Sequence, residues 1–151
     1  MKVDTAYVYT KGIDEDSAEV VVDIDFCNFE CGGIVNVKIV DPDGRSAAEY
    51  SRYNEESFMR INFDIENPKL WYPNGYGKAP LYKIEIRCED KLLYSTPFGV
   101  RTVKIMELSD KEGTENYNKC IELKKTPFSE EYDKNDRFSG FILKVNGERI
   151  L

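Results

Sequence analysis

A period-two alternation of apolar and polar residues, recurring in short runs between turns, constrains this 151-residue chain more than any other feature. In Ala18–Phe26 it places Val20, Val22, Ile24 and Phe26 on one side, with Val21, Asp23 and Asp25 on the other. Gly33–Val40 aligns Val35, Val37 and Ile39, and Ser57–Ile65 sets Met59, Ile61, Phe63 and Ile65 against Phe58, Arg60, Asn62 and Asp64. Leu81–Cys88 alternates again, Val3–Thr10 does so in part, and Lys91–Tyr94 and Val100–Leu108 add extended segments. Successive side chains of a strand point to opposite faces, so each run specifies a strand with one buried face. Asp14-Glu15-Asp16, Asp41-Pro42-Asp43-Gly44 and Glu89-Asp90 supply the turns. About seven strands at roughly ten-residue spacing predict an all-β fold, an immunoglobulin-like antiparallel β-sandwich.

Composition removes several function classes. Apolar residues at 41% and aromatics at 13% are too abundant for a disordered acidic tail. The net charge of −7, with no basic cluster free of intervening carboxylates, argues against nucleic acid and anionic membrane surfaces as partners. No apolar run approaches the roughly 20 residues that span a bilayer. Met1–Thr10 lacks the basic and hydrophobic regions of a signal peptide, so localisation stays open with a lean towards the cytoplasm. The absence of histidine excludes serine-histidine triads, cysteine-histidine dyads and histidine zinc sites within this chain. Its cysteines are Cys27, Cys31, Cys88 and Cys120, with no second pair at metal-site spacing. Reduced thiols are expected, with a four-thiolate zinc site or a Cys27–Cys31 bridge as alternatives, and Cys27 and Cys88 fall on candidate strands that an antibody-type bridge would join. No metal and no cofactor is expected; Gly75 and Gly77 follow a proline-rich turn and do not open a phosphate-binding helix.

One stretch breaks the alternation by design. Asn67–Tyr82, NPKLWYPNGYGKAPLY, carries the only tryptophan and three of the six prolines. Pro68 and Pro73 fix φ and bias the preceding residues towards extended geometry, while Asn74-Gly75 and Gly77 supply positive φ where the chain turns. This is a shaped loop. Trp71, Tyr72, Tyr76 and Tyr82 give it apolar mass with polar tips, suited to the domain's own core, a neighbouring domain or a sugar ring.

The same stretch resembles the signature of the second, immunoglobulin-like domain of family 2 glycoside hydrolases, in particular the β-mannosidase-like branch, where NPxLWWPNGYGxxxLY is typical. Phe98–Thr102, FGVRT, resembles that family's FGxRT, and Phe141–Ile150, FILKVNGERI, resembles the FxFxVNGxxIF that leads into its catalytic barrel. The resemblance makes Asn67, Pro68, Trp71, Pro73, Asn74, Gly75, Gly77, Tyr82, Gly99, Arg101, Asn146 and Gly147 structural or domain-interface residues, with Arg101 tying the sandwich to the barrel. It implies a parent that hydrolyses terminal β-glycosidic bonds with retention, β-mannosidase-like or β-galactosidase-like. It also implies other domains of the same polypeptide as partners: the catalytic barrel and an N-terminal sugar-binding-type sandwich. Carbohydrate is met through the parent. In the family both catalytic glutamates sit on the barrel, so this chain is expected to hold no catalytic residue; Glu55-Glu56 and Glu130-Glu131 are neighbours that diverge and form no acid–nucleophile pair. The alternative is a stand-alone carbohydrate-binding module using the aromatic loop 67–82.

Read this way, residues 1–108 form the sandwich, 109–137 a charged linker or insertion, and 138–151 a hairpin turning at Asn146-Gly147 and leading towards an absent barrel. The charged segment is longer than the family's usual connection, and Tyr117, Cys120, Ile121, Leu123, Phe128 and Tyr132 make it more apolar than a bare spacer.

Overall fold

The structure is a computed structural model that describes residues 1–28, 32–109 and 139–150. Among the described residues every regular element is a strand: β1 (Lys2–Ile13), β2 (Ser17–Cys27), β3 (Gly33–Val40), β4 (Ser46–Asn54), β5 (Phe58–Glu66), β6 (Tyr82–Cys88), β7 (Lys91–Phe98), β8 (Val103–Ser109), β9 (Ser139–Val145) and β10 (Glu148–Ile150). The chain divides into two compact units, Met1–Thr102 and Val103–Leu151.

The first unit is the expected antiparallel sandwich. One sheet has the order β1-β2-β5 and the other β4-β3-β6-β7, so the chain crosses between sheets after β2, β4 and β5. Register explains why the alternating runs fold this way. Val20, Val22 and Ile24 stand opposite Phe63, Ile61 and Met59 across β2–β5, and Val37 and Ile39 stand opposite Ile86 and Ile84 across β3–β6. These inward sets, with Ala18, Phe26, Val35, Ile65, Tyr82 and Val100, make one buried cluster between the sheets. A fully buried aliphatic side chain contributes about 1.5–3 kcal/mol over leaving it in water. This cluster therefore holds the two sheets together.

Two elements depart from the sequence expectation. Ser46–Asn54 is a strand that alternation does not reveal, because it lies at the sheet edge and leaves most of its side chains exposed. The run Val100–Leu108, read as continuing the sandwich, divides instead. Val100 stays in the sandwich core, whereas Val103–Ser109 pairs antiparallel with Ser139–Val145 in a separate sheet of order β10-β9-β8. Period-two patterning identifies a strand but not the sheet it joins, and the partner here lies some thirty residues further on.

Turn chemistry sets the sandwich's connections. Asp41 Oδ1 accepts from the amides of Asp43 (2.9 Å) and Arg45 (2.8 Å), and Gly44 sits at φ 85°. The β6–β7 hairpin turns on Glu89 (φ 47°) and Asp90 (φ 64°), a geometry usually left to Asn-Gly. Glu89 offsets its strain by reaching back to β3: its carboxylate accepts the Ile34 amide at 2.8 Å, and its own amide donates to the Ile34 carbonyl at 3.1 Å. Tyr82, 2% exposed, begins β6 with its ring against Phe98 (5.8 Å between centroids) and its hydroxyl accepting the Lys69 amide at 2.9 Å. Such a buried tyrosine bonded back to the preceding corner is a hallmark of immunoglobulin-like sandwiches. Cys27 is a free thiol, so the Cys27–Cys88 bridge does not form; Cys31 and Cys120 lie outside the described residues.

In the second unit β9 and β10 are joined by Asn146 (φ 51°) and Gly147 (φ 84°), the positive-φ pair that a two-residue hairpin turn requires. Val103, Ile105 and Leu143 of this sheet are exposed. From residue 110 the charged segment expected over 109–137 lies outside the described residues, as do Tyr117, Cys120, Ile121, Leu123, Phe128, Glu130, Glu131 and Tyr132.

Candidate functional site

The loop between β5 and β6 is stitched to the segment that follows β7. Leu70 and Val100 form an isolated parallel bridge, and the Trp71 amide donates to the Val100 carbonyl at 2.9 Å. Three consecutive residues then define the tryptophan's surroundings. Gly99 lies beneath the indole, where a Cβ would come within 2.7 Å of Trp71 Cγ. Val100 takes the backbone bond, and Arg101 lays its guanidinium over the ring, 4.2 Å from the centroid. The Arg101 amide donates to Thr10 Oγ1 at 3.2 Å, which fixes the segment against β1. Only glycine leaves room for this approach, which explains FG in Phe98–Thr102.

The rest of the loop folds on itself. The Tyr76 amide donates to the Pro73 carbonyl at 3.1 Å, with Gly75 at φ 87° inside that turn, and the Tyr72 amide donates to the Lys78 carbonyl at 3.0 Å. Neither Asn74 nor Gly77 uses positive φ as expected, and what Gly77 supplies is space, since a Cβ there would lie 3.1 Å from the Tyr72 ring. Asn67 adopts φ 45° despite the proline after it, a left-handed conformation that asparagine tolerates better than most residues, and its amide donates to the Asp16 carbonyl at 2.7 Å. The Lys69 ammonium pairs with the Asp43 carboxylate, and that hydrogen bond holds the Asp43 carboxyl below its ordinary range and raises the lysine. Beside this pair an open hollow of about 380 Å³ is lined by Asp41, Arg45, Asp64, Asn67, Lys69 and Tyr82.

These placements sort the sequence candidates. Asn67, Pro68, Trp71, Pro73, Asn74, Gly75 and Gly77 share the loop, Tyr82 anchors its end, and Gly99 and Arg101 meet it at Trp71. Asn146 and Gly147 belong to the second unit's turn. Trp71 is half-buried and stands outside the sandwich core. Arg101, which falls in the run Val100–Leu108 read as extended, is exposed between strands and rests its charge on the indole face. Tyr82 is buried, which removes it from any sugar platform. Thr10, Asp43 and Lys69 escape sequence reasoning, since nothing local marks residues that meet across the fold.

Glu55 and Glu56 are exposed at the β4–β5 turn, and among the described residues no cluster of three or more potential ligands could hold a metal ion. What the described residues bring together in this region is an aromatic ring, a guanidinium and the backbone bonds that hold them.

The chain also matches known proteins. The sequence model described as glycosyl hydrolases family 2 matches residues 1–101. The chain is 27% identical over 122 residues to β-mannosidase B of Aspergillus clavatus, covering 70% of this chain and 14% of that relative. The β-D-mannosidase of Dictyoglomus thermophilum shares its fold with a TM-score of 0.70 at 20% identity, over 99% of this chain and 16% of that one. The β-glucuronidase of Bifidobacterium dentium gives 0.60 at 21% identity, over 70% and 19%. The chain thus spans under a fifth of the length of each of these relatives.

Proposed function

Because the chain belongs to glycosyl hydrolase family 2, we propose that its sandwich is a non-catalytic supporting domain of a multidomain retaining β-glycosidase. The β-mannosidase B relatives favour a β-mannosidase-like parent, with a β-galactosidase-like one as the runner-up. In this reading residues 1–102 hold the remainder of the enzyme through the 67–82 loop, and residues 103–151 lead towards the catalytic barrel.

The observation that carries the proposal is the Gly99–Trp71–Arg101 stack. Its Trp71 amide is bonded to Val100, its indole is half-buried without belonging to the core, and the guanidinium of the exposed Arg101 lies over the ring. Partner chemistry is implied: carboxylates or carbonyls of an adjoining domain accept from Arg101, and an apolar surface packs beside the half-buried Trp71. The binding-module alternative is weakened by the same geometry, because the guanidinium occupies an indole face that a sugar would need and Tyr82 is buried.

The test compares hydrolysis of aryl β-mannoside and aryl β-galactoside by the 151-residue chain and by a longer protein containing it together with a family 2 barrel. Activity confined to the longer protein, reduced there by Arg101→Ala, is expected. Activity of the 151-residue chain alone overturns the supporting role.

A further inference from the structure

Two asparagine–glycine pairs occur in the chain, Asn74-Gly75 and Asn146-Gly147, and the fold holds them differently. Asn74 and Gly75 are the central residues of the turn closed by the Tyr76 amide on the Pro73 carbonyl, with Asn74 outside the positive-φ region and Gly75 at φ 87°, the sign pattern of a type II turn. Both are exposed. Among the described residues neither the Gly75 N–H nor the Asn74 side chain has a hydrogen-bond partner. A Cβ built on Gly75 would meet nothing within 4 Å, so the space beside its nitrogen is open. The Asn74–Gly75 peptide plane can therefore turn while the closing bond stays in place. Asn146 is clamped instead: it sits at φ 51°, and the ladder partners Val145 and Glu148 flank its pair directly. That peptide rotates only when the hairpin opens. Of the other described asparagines, Asn67 is followed by Pro68, whose nitrogen carries no hydrogen. The side-chain amides of Asn36, Asn54 and Asn62 are held by hydrogen bonds to Glu49, to the Glu56 carbonyl and to Glu19.

We propose that Asn74 is a site of spontaneous covalent modification, converted to aspartate and isoaspartate through a cyclic imide closed by the Gly75 nitrogen. Asparagine is among the thermolabile side chains, and the free Gly75 N–H supplies the nucleophile. That nitrogen, giving its proton to solvent base, attacks the Asn74 side-chain carbonyl carbon. A C–N bond forms, the bond to Nδ2 breaks, and Nδ2 leaves as ammonia with a proton returned from solvent. Water then opens the ring. Opening at the side-chain carbonyl restores the ordinary backbone with an aspartate, and opening at the main-chain carbonyl routes the backbone through the side chain as isoaspartate. The sum is asparagine and water giving acid and ammonia, with nothing oxidised or reduced. Glycine suits this step because no Cβ shields its nitrogen and its backbone tolerates the conformations that ring closure passes through. The product places a carboxylate in the aromatic loop and, in the isoaspartyl form, one more methylene in the backbone between Pro73 and Tyr76. The chemistry needs only this chain and water, so it stands apart from the supporting role given to the sandwich.

The experiment ages the full 151-residue chain at mildly alkaline pH, once folded and once in urea, and follows both asparagine–glycine pairs by peptide mapping with mass spectrometry. Labelling by isoaspartyl methyltransferase detects the rearranged product. In the folded protein Asn74 is expected to convert several-fold faster than Asn146, with isoaspartate among its products. In urea the two rates are expected to converge, because only the fold separates them. Gly75→Ala puts a Cβ beside the attacking nitrogen and is expected to slow conversion at Asn74 several-fold while leaving Asn146 unchanged. Conversion of Asn74 no faster than that of Asn146 in the folded chain overturns the proposal. So does a difference that persists undiminished in urea, which would trace it to neighbouring sequence and not to the turn. Aspartate formed without isoaspartate refutes the imide route.

Discussion

Gly99→Ala isolates the contact on which the 67–82 loop depends. An ideal Cβ at this position lies 2.7, 2.8 and 2.9 Å from Trp71 Cγ, Cβ and Cδ1, whereas carbon atoms in contact settle at about 3.5–4.0 Å. The Trp71 amide is tied to Val100 and Leu70 is bridged to the same residue, so the backbone has little freedom and the indole must move. Overpacking of this kind costs about 1–3 kcal/mol. Loss of an exposed cation–π contact adds roughly 0.5–1 kcal/mol. Gly99 does not use positive φ, so alanine brings no backbone strain and restricts the unfolded chain, which returns about 0.4–1 kcal/mol. The net expectation is destabilisation by about 1–3 kcal/mol, read by urea unfolding followed by circular dichroism. Trp71 is the only tryptophan, so its fluorescence reports this locus alone and should change in the folded variant. Gly75→Ala is the control: nothing lies within 4 Å of its Cβ, but φ is 87°, so it should cost about 1 kcal/mol through backbone strain and leave the emission alone. An unchanged unfolding midpoint together with unchanged emission in Gly99→Ala would refute the reasoning.

Two further outcomes follow from named contacts. Tyr82→Phe removes the acceptor of the Lys69 amide while keeping the ring, and should lower stability by about 1–2 kcal/mol, because the donor is only partly shielded from water; equal urea midpoints would show that the corner bond contributes nothing. The Asp23 carboxyl is held below its ordinary range by the hydrogen bonds from Arg60, opposed by partial burial. A depressed native value gives stability that is fully present above the unfolded value of about 4 and lost as pH falls through the lowered native one. Asp23→Asn should therefore flatten the acid limb of the stability curve below about pH 4, and an acid limb of unchanged steepness would count against the pair.

The strands legible in the sequence are those whose inward residues meet the opposite sheet. β2, β3, β5 and β6 each carry a run of buried apolar residues at every second position, because both the partner sheet and the solvent act on them. β4 is not legible: at the edge, SAAEYSRYN buries only Asn54 fully, and its register is supplied by β3. The loop's existence was readable from Pro68, Pro73 and Gly75, but its architecture was not. The reason for Gly99 is a ring 28 positions earlier, and the bond that fixes Tyr82 comes from an amide in the corner before it. Local chemistry marks where a chain turns; which distant side chain then needs the room is decided only by the assembled sheets.

The hairpin tip at Glu89-Asp90 limits what sequence optimisation can achieve here. Standard practice for a two-residue turn of this shape replaces both residues by Asn-Gly and gains backbone comfort. At this tip the replacement would release strain and, in the same step, take away the carboxylate that receives the Ile34 amide at the start of β3. A substitution that looks favourable for the hairpin thus frays the neighbouring strand. The acid at position 89 is better understood as part of β3's hydrogen-bonding than as part of its own turn.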